Sequence, residues 1–209
     1  GFQKRKDQVQ DSLFDLAAEL LEVQSKRALV KRDAYPSDDL ERDFLDSFPF
    51  HDTVDQARAW SEVQSDLGKP TPMDRLLCGD VGFGKTEVAL RTAFRVAISG
   101  RQVALLCPTT VLAEQHSRSF KERCEPFGLS VELLSRYRPA KQRRDVQEKL
   151  SKGSVDIVIG THQLLGKDIK FADLGLCIID EEQRFGVRQK ERLKQLRHAV
   201  DVLTLSATP

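Results

Sequence analysis

The sequence has no long apolar run. Hydrophobic residues make up 40% of its 209 positions and charged residues 31%, and no stretch approaches the ~20 consecutive apolar residues of a membrane-spanning helix. The opening residues, Gly-Phe-Gln-Lys-Arg-Lys, contain no apolar segment of the kind that signal peptides carry. These absences argue against a membrane protein, and we predict no membrane partner.

Paired cysteines are missing too. The four cysteines, Cys78, Cys107, Cys124 and Cys177, include no C-x-x-C spacing, which argues against a zinc site. Three of them lie in predicted strands, where cysteine acts as a small buried apolar residue. This usage is typical of a reducing compartment, so we predict a cytoplasmic protein.

Net charge and aromatic residues are both scarce. The formal net charge is +1 and aromatic residues make up 7% of the chain. Any binding of nucleic acid must therefore depend on a local basic patch rather than on a global field. Few aromatic residues lie among the polar clusters, which favours contact with a nucleic-acid backbone over stacking on bases.

One glycine-rich stretch dominates what is present. It fits the phosphate-binding pattern G-x-x-x-x-G-K-[ST], with the residues Gly79, Asp80, Val81, Gly82, Phe83, Gly84, Lys85 and Thr86. A short apolar run at 76–78 precedes it and reads as a buried strand, and a helical pattern ending at Gly100 follows it. An ordinary glycine turn would not need this context. We expect the loop to bind the phosphates of a nucleoside triphosphate, with Lys85 at the β- and γ-phosphates and Thr86 on Mg²⁺.

The whole chain alternates strands and helices. Strands are predicted at 76–78, 103–106, 131–134, 155–159, 176–179 and 200–205, with helices in between. This alternation predicts an α/β fold with a parallel sheet covered by helices on both faces. Ligands of such sheets bind at the carboxyl ends of the strands, where the polar clusters of this sequence fall.

Two carboxylates end the fifth predicted strand. Asp180 and Glu181 follow Ile178-Ile179, about a hundred residues after the glycine-rich loop. In phosphate-loop enzymes one such acid holds Mg²⁺ and a neighbour activates the attacking water, so we assign Asp180 to the metal and Glu181 to the water. The alternative is a pair of solvated loop acids, which the glycine-rich loop on the same sheet disfavours.

A weaker signal precedes the glycine-rich loop. Thr53 is a good N-cap for a helix that carries Gln56 in its first turn. A glutamine there can offer both a donor and an acceptor to an adenine edge, and Phe50 can stack on the ring. Alternatively, Phe48 and Phe50 are simply core residues.

Three segments offer groups for phosphate contacts. Pro108-Thr109-Thr110 and Gly160-Thr161-His162 follow strands and carry hydroxyls and backbone N–H groups, which suit a nucleic-acid backbone. A basic cluster follows the third strand: Arg136, Arg138, Lys141, Arg143 and Arg144. This cluster either meets phosphates or is only a solvated face.

The first 47 residues have a different character. Residues 4–31 carry a heptad-like apolar stripe without Gly or Pro, which predicts one long helix, and 33–47 read as an acidic linker with a short helix from Ser37. The long helix either lies on its own domain or connects to an upstream domain. We predict two regions, 1–47 as connector and 48–209 as the nucleotide-binding domain, and expect the chain to be a piece of a longer protein.

Taken in order, the motifs resemble those of superfamily 2 helicase motors. The Gln56 segment resembles the Q motif, Gly79–Thr86 motif I, Pro108–Thr110 motif Ia, Gly160–His162 motif Ib and Asp180–Gln183 motif II. Ser206, Ala207 and Thr208 resemble motif III, and with Gln183 and Arg184 they are the residues that the resemblance assigns to coupling. The resemblance implies a RecA-like lobe that binds ATP and Mg²⁺.

From Phe48 onward the likeness is closest to the family of bacterial transcription-repair coupling factors. Phe83 and Glu182-Gln183 favour that family over the related RecG branched-DNA helicases, which tend to have Ser and Gln-His there. The resemblance implies a double-stranded DNA translocase that acts on stalled RNA polymerase and recruits excision-repair proteins. It also implies a second RecA-like lobe that supplies an arginine finger, so this lobe alone should hydrolyse ATP slowly. A nucleotide-dependent binding module, a RecG-type lobe and an RNA helicase remain as alternatives.

Overall fold

The computed structural model describes residue 25 and residues 29–80 and 82–207. Most of the long helix predicted over 4–31 lies outside this part of the chain, as do Val81 and Thr208 of the predicted site. Within the described residues, no helix is long and apolar enough to cross a membrane.

The described chain forms one six-stranded parallel sheet and six α-helices. The strands are β1 (Asp74–Cys78), β2 (Gln102–Leu106), β3 (Val131–Leu134), β4 (Ile157–Gly160), β5 (Leu174–Asp180) and β6 (Asp201–Ser206). The helices are α1 (Asp39–Asp46), α2 (Val54–Leu67), α3 (Lys85–Ile98), α4 (Thr110–Cys124), α5 (Ala140–Ser151) and α6 (Val187–Arg197). The sheet order is β1-β6-β5-β2-β4-β3. All six predicted strands are present, with ends shifted by a few residues.

Two apolar cores lie on the two faces of the sheet. One contains Phe44, Trp60, Phe94 and Phe120, from α1, α2, α3 and α4. The other is closed by side chains of α5 and α6. Alternate residues of the buried strands point into the two cores, as the two-residue period of a strand requires. The predicted α/β class with a doubly covered parallel sheet is confirmed.

The strand before the glycine-rich loop differs from its prediction. β1 pairs only with β6, so it is an edge strand whose outward side chains are exposed. Leu76 is 55% exposed, and Cys78 is exposed as well. The interpretation of 76–78 as a fully buried strand was wrong, because an apolar run does not distinguish a central strand from an edge strand.

The other three cysteines are buried thiols. Burial raises the pKa of both Cys124 and Cys177 to about 12. Burial, reinforced by the charge of Asp180, also raises the pKa of Cys107. All three therefore stay protonated near neutral pH and pack as apolar side chains. The prediction that the cysteines of the strands are buried is confirmed for Cys107 and Cys177 and was wrong for Cys78, which ends the edge strand β1.

The acidic segment before Phe48 is packed against the rest of the chain. It contains the predicted short helix, α1, whose N-cap Asp38 accepts a hydrogen bond from the Glu41 N–H. Tyr35 and Phe44 are buried in the core, and the Phe44 ring stacks on Phe94 at 3.9 Å between centroids. The sequence analysis did not predict the burial of these two aromatic residues, because the segment around them is mostly polar.

A buried ion pair holds this segment to the sheet. Arg32 contacts both carboxylate oxygens of Asp201, at 2.7 and 2.9 Å, and their side chains are 5% and 0% exposed. The Met73 N–H also donates to Asp201 at 2.5 Å. Burial raises the pKa of Asp201, while Arg32 and the Met73 N–H oppose that rise. The positive charge of Arg32 therefore offsets much of the cost of burying the ionised Asp201 carboxylate.

Replacing Arg32 with methionine is expected to lower the free energy of unfolding by about 3–5 kcal/mol, because the substitution leaves a buried carboxylate unpaired. Denaturant unfolding of this chain measures the change. Arg42→Met is the control, since the Arg42–Asp39 pair is exposed and such pairs contribute at most about 1 kcal/mol. A loss at Arg32 no greater than that of the control would contradict the prediction. Adding Asp201→Leu should recover part of the loss.

Candidate nucleotide and nucleic-acid site

Most of the predicted site residues lie along one edge of the sheet, where the strands have their carboxyl ends. The glycine-rich loop follows β1, Ala207 follows β6, and Glu181 follows β5. Pro108-Thr109-Thr110 follows β2, Gly160 ends β4, and Arg136 follows β3. In the strand order β1-β6-β5-β2-β4-β3, the first three strands carry the groups predicted for ATP and the last three those predicted for a nucleic acid. The two predicted sets of residues therefore lie side by side along one edge.

Two glycines give the phosphate loop its shape. Gly82 and Gly84 have φ angles of 89° and 72°, in the left-handed region that favours glycine. Gly84 is also the N-cap of α3, so the loop leads directly into a helix N-terminus. A Cβ added at Gly84 would collide with the side-chain amide of Gln56. The left-handed φ angles therefore require glycine in the loop, and a side chain at position 84 would displace the Gln56 amide.

Lys85 lies folded over this loop. Its Nζ donates to the carbonyl oxygens of Gly79 and Asp80, the latter at 3.0 Å. Beside it, Lys85, Thr86, Asp180 and Glu181 line a cavity of about 320 Å³. The phosphates of a nucleoside triphosphate need a lysine and a helix N-terminus, and Mg²⁺ needs hydroxyl and carboxylate oxygens. This cavity offers all of these groups. The residues present fit that ligand.

The two carboxylates of motif II are held differently. Asp180 ends β5, is 9% exposed, and its Oδ2 lies 3.0 Å from Nε2 of His116. Glu181 has a φ of 54° and is the one non-glycine residue with positive φ among those described. Such backbone strain costs about 1–3 kcal/mol and is common at functional sites. The turn is maintained by the Glu181 N–H, which donates to the Leu205 carbonyl at 2.9 Å.

Neighbouring residues connect motifs I, II and III. The Gly79 N–H donates to the Ser206 carbonyl at 3.2 Å, and the Gln183 amide donates to the Glu181 carboxylate. Glu182 points elsewhere, because its Oε2 lies 2.5 Å from Nη2 of Arg197. Arg184 is exposed. The structure thus brings the predicted coupling residue Ser206 into contact with motif I and Gln183 into contact with Glu181.

The Gln56 segment contacts the phosphate loop directly. The Gln56 amide donates to the Phe83 carbonyl at 3.2 Å, and its Oε1 accepts from the Thr53 N–H at 2.8 Å. Gln56, Phe83 and Lys85 line a cleft of about 530 Å³. One N–H and one oxygen lone pair of Gln56 stay available for an adenine. Phe50 is 72% exposed, so the alternative that it is a core residue was wrong.

A buried charge network supports this segment, and the sequence analysis missed it. Arg91 of α3 binds both oxygens of Asp52, at 2.7 and 2.8 Å, and also Glu87, which in turn binds Arg123 of α4. The Arg91 guanidinium also lies 5.2 Å from the centroid of the Phe48 ring. The spacing of Glu87 and Arg91 by four residues in one helix was the available signal. The network fixes the Gln56 segment to the helix that follows the phosphate loop.

The remaining predicted residues lie on the β2–β4–β3 side of the edge. Thr109 is exposed and caps α4, accepting from the Leu112 N–H at 3.3 Å. His162 and Arg136 are exposed, whereas Thr161 is only 5% exposed. Of the basic cluster, Arg143 and Arg144 line a pocket of about 400 Å³ with His162 and Arg192. This side of the edge is cationic and accessible.

The family model for DEAD/DEAH box helicases matches residues 53–209. The chain belongs to the DEAD/DEAH box helicase family. Along all 209 residues it is 51% identical to the transcription-repair-coupling factors of Staphylococcus aureus and Staphylococcus epidermidis. The chain spans 18% of the length of those relatives.

Solved structures agree with this assignment. RecG bound to a three-way DNA junction matches 90% of this chain and 25% of its own, with a TM-score of 0.78 and 36% identity. A hypothetical ATP-dependent RNA helicase from Sulfolobus tokodaii matches 82% of this chain and 51% of its own, with a TM-score of 0.61. Because it is 19% identical, that match shows the fold alone. The RecA-like lobe implied by the motifs is confirmed.

Proposed function

We propose that this chain is the ATP-binding lobe of an ATP-driven double-stranded DNA translocase that acts on stalled RNA polymerase in transcription-coupled repair. The observation that carries this proposal is the 51% identity to transcription-repair-coupling factors along the whole chain. Excision-repair proteins would be recruited through other parts of the same protein, and a second RecA-like lobe would close the ATP cleft.

The nucleotide roles follow the geometry of the β1–β6–β5 side. The backbone of residues 79–84 and Lys85 would hold the phosphates, and Gln56 and Phe50 the adenine. Thr86 and Asp180 would hold Mg²⁺, which when bound neutralises charge on the phosphates. Glu181 would accept a proton from the attacking water. Support comes from the cavity that Lys85, Thr86, Asp180 and Glu181 share.

The DNA roles fall to the other half of the edge. The backbone of a duplex would contact the residues that follow β2, β4 and β3, namely Pro108, Thr109, Thr110, Gly160, Thr161, His162 and Arg136. Hydroxyls, backbone N–H groups and cations give the affinity and salt dependence of phosphate contacts without selecting a sequence. Gln183, Arg184, Ser206, Ala207 and Thr208 would couple the two ligands. The backbone hydrogen bond from Gly79 to Ser206 supports that role.

A RecG-type branched-DNA helicase is the second candidate. The RecG structure bound to a three-way junction favours it, with a TM-score of 0.78. Its identity to this chain, 36%, is lower than the 51% of the coupling factors. Motif II also departs from the RecG pattern at Glu182-Gln183. The coupling-factor function therefore has the stronger support.

In the full-length protein, linear duplex DNA should stimulate ATP hydrolysis, and ATP should drive release of RNA polymerase stalled by nucleotide starvation. ATPase assays with duplex DNA, three-way junctions and duplex RNA, together with a polymerase-release assay, measure these effects. Unwinding of junctions without polymerase release would favour the RecG-type function. Stimulation of ATP hydrolysis by RNA alone would favour an RNA helicase. Nucleotide binding without stimulated hydrolysis and without polymerase release would favour a binding module.

A further inference from the structure

One contact of the metal site comes from outside motifs I and II. His116 lies on α4, and its Nε2 is 3.0 Å from Oδ2 of Asp180. The two side chains are each 12% exposed, so the pair is largely screened from solvent. An ionised carboxylate only accepts hydrogen bonds, so Nε2 donates whenever Asp180 is charged. His116 also lines the cavity of Lys85, Thr86 and Glu181.

The position of His116 is fixed by its helix. Its neighbours one turn away on α4, Ala113 and Phe120, are buried in the core. The His116 and Phe120 rings meet edge to face, with 6.4 Å between their centroids. The imidazole therefore has little freedom to turn away, and its hydrogen bond constrains the orientation of the Asp180 carboxylate.

The same helix begins at the proposed DNA contact. Thr109 is its exposed N-cap and Thr110 its first residue. His116 lies six residues further on, about 9 Å along the axis at 1.5 Å per residue. A small displacement of α4 on binding a duplex backbone at Thr109-Thr110 would therefore reach Asp180 through a single rigid element and one hydrogen bond.

We infer that His116 is a positioning residue that orients Asp180 for Mg²⁺ and links the metal site to the binding of a duplex DNA backbone at the start of α4. The link to DNA binding rests on the proposed function, whereas the orientation of Asp180 does not. It assigns to α4 a direct route between the two halves of the sheet edge, in addition to motif III. Ligand-supporting hydrogen bonds of this kind typically change metal affinity by about 10- to 100-fold when removed.

Three substitutions of His116 separate positioning from packing. His116→Gln keeps a donor at nearly the reach of Nε2, His116→Asn keeps a polar side chain but falls short, and His116→Leu keeps bulk without a donor. Gln115→Leu is the matched control, since Gln115 is the exposed neighbour on the same turn. All are made in the full-length protein.

The first test titrates Mg²⁺ against binding of a fluorescent, non-hydrolysable ATP analogue. The Leu and Asn variants should need about 10- to 100-fold more Mg²⁺ for half-maximal binding, with unchanged analogue affinity in EDTA. The Gln variant and the control should match the unmodified protein. Unchanged Mg²⁺ dependence in the Asn variant, or an equal loss of affinity in EDTA for Gln and Asn, would overturn the inference. The Asn and Gln variants decide the matter if the Leu variant does not fold.

The second test measures duplex DNA affinity with and without the Mg²⁺-bound analogue. The unmodified protein should bind DNA with different affinities in the two states. The Asn and Leu variants should show a clearly smaller difference, with an unchanged DNA affinity in the absence of nucleotide. Linkage requires each ligand to change the other's affinity equally, so the assay reads the coupling itself. An intact difference in the variants would overturn the link to DNA binding. If DNA affinity of the unmodified protein does not change with the analogue, the proposed translocase function fails. The Mg²⁺ titration then still tests whether His116 orients Asp180.

Discussion

Replacing Glu181 with glutamine is expected to stop ATP turnover in the full-length protein while ATP stays bound. Glutamine keeps the size and the hydrogen-bonding reach of the side chain but cannot accept a proton from the attacking water. Loss of a general base typically costs about a hundredfold to ten-thousandfold in rate. Single-turnover hydrolysis gives the chemical rate, and retention of labelled ATP after gel filtration reports the trapped state.

Glu182→Gln is the matched control for this experiment. Glu182 is the next residue in the chain, but its carboxylate lies against Arg197, away from the cavity that Glu181 shares with Asp180. The control should hydrolyse ATP at a rate within an order of magnitude of the unmodified protein. If Glu182→Gln abolished turnover and Glu181→Gln did not, the assignment of the base would be wrong.

The positions of the strands along the chain and the location of the candidate site were predictable because they depend on local patterns. Short apolar runs ending in Gly79, Asp180 or Gly160 define strands, and parallel strands place their carboxyl ends on one edge. The resemblance of the motifs then assigns the two ligands to that edge. None of these inferences requires knowledge of which side chains meet in three dimensions.

What the sequence analysis missed depends on long-range contacts. The pairs Arg32–Asp201, Arg91–Asp52 and His116–Asp180 join residues 169, 39 and 64 positions apart. Charged residues are common enough that a single sequence does not reveal such partners. The exposure of β1 was missed for a related reason, because sheet order is set by tertiary packing and not by the composition of the strand.

The structure adds a contact at Gln56 that the sequence does not reveal. Besides the predicted role at adenine, the Gln56 amide bridges α2 and the phosphate loop through the Phe83 carbonyl. Asp52, four residues earlier, is bound by Arg91 of α3. The Gln56 segment is thus bound both to the phosphate loop and to the helix α3 that follows it. Adenine binding at Gln56 would consequently act on the conformation of residues 82–84.

Lys85→Ala is expected to weaken ATP binding in the full-length protein by about 10- to 150-fold and to abolish turnover. A hydrogen bond to a charged group contributes about 1.5–3 kcal/mol, which corresponds to that range of affinity at 1.4 kcal/mol per factor of ten. In the structure Nζ rests on the carbonyls of Gly79 and Asp80. It is therefore already inside the loop and needs only a short movement to meet phosphates.

Isothermal titration with a non-hydrolysable ATP analogue measures the loss, and Lys152→Ala is the control. Lys152 is an exposed lysine at the end of α5, where it pairs with Glu148 at 2.6 Å, and its removal should leave binding unchanged. Because Lys85 also braces the loop, thermal unfolding of both variants must be compared. A fall in affinity with an unchanged unfolding temperature would assign the effect to the lost phosphate contact. Full affinity in Lys85→Ala would mean that the loop does not hold the triphosphate.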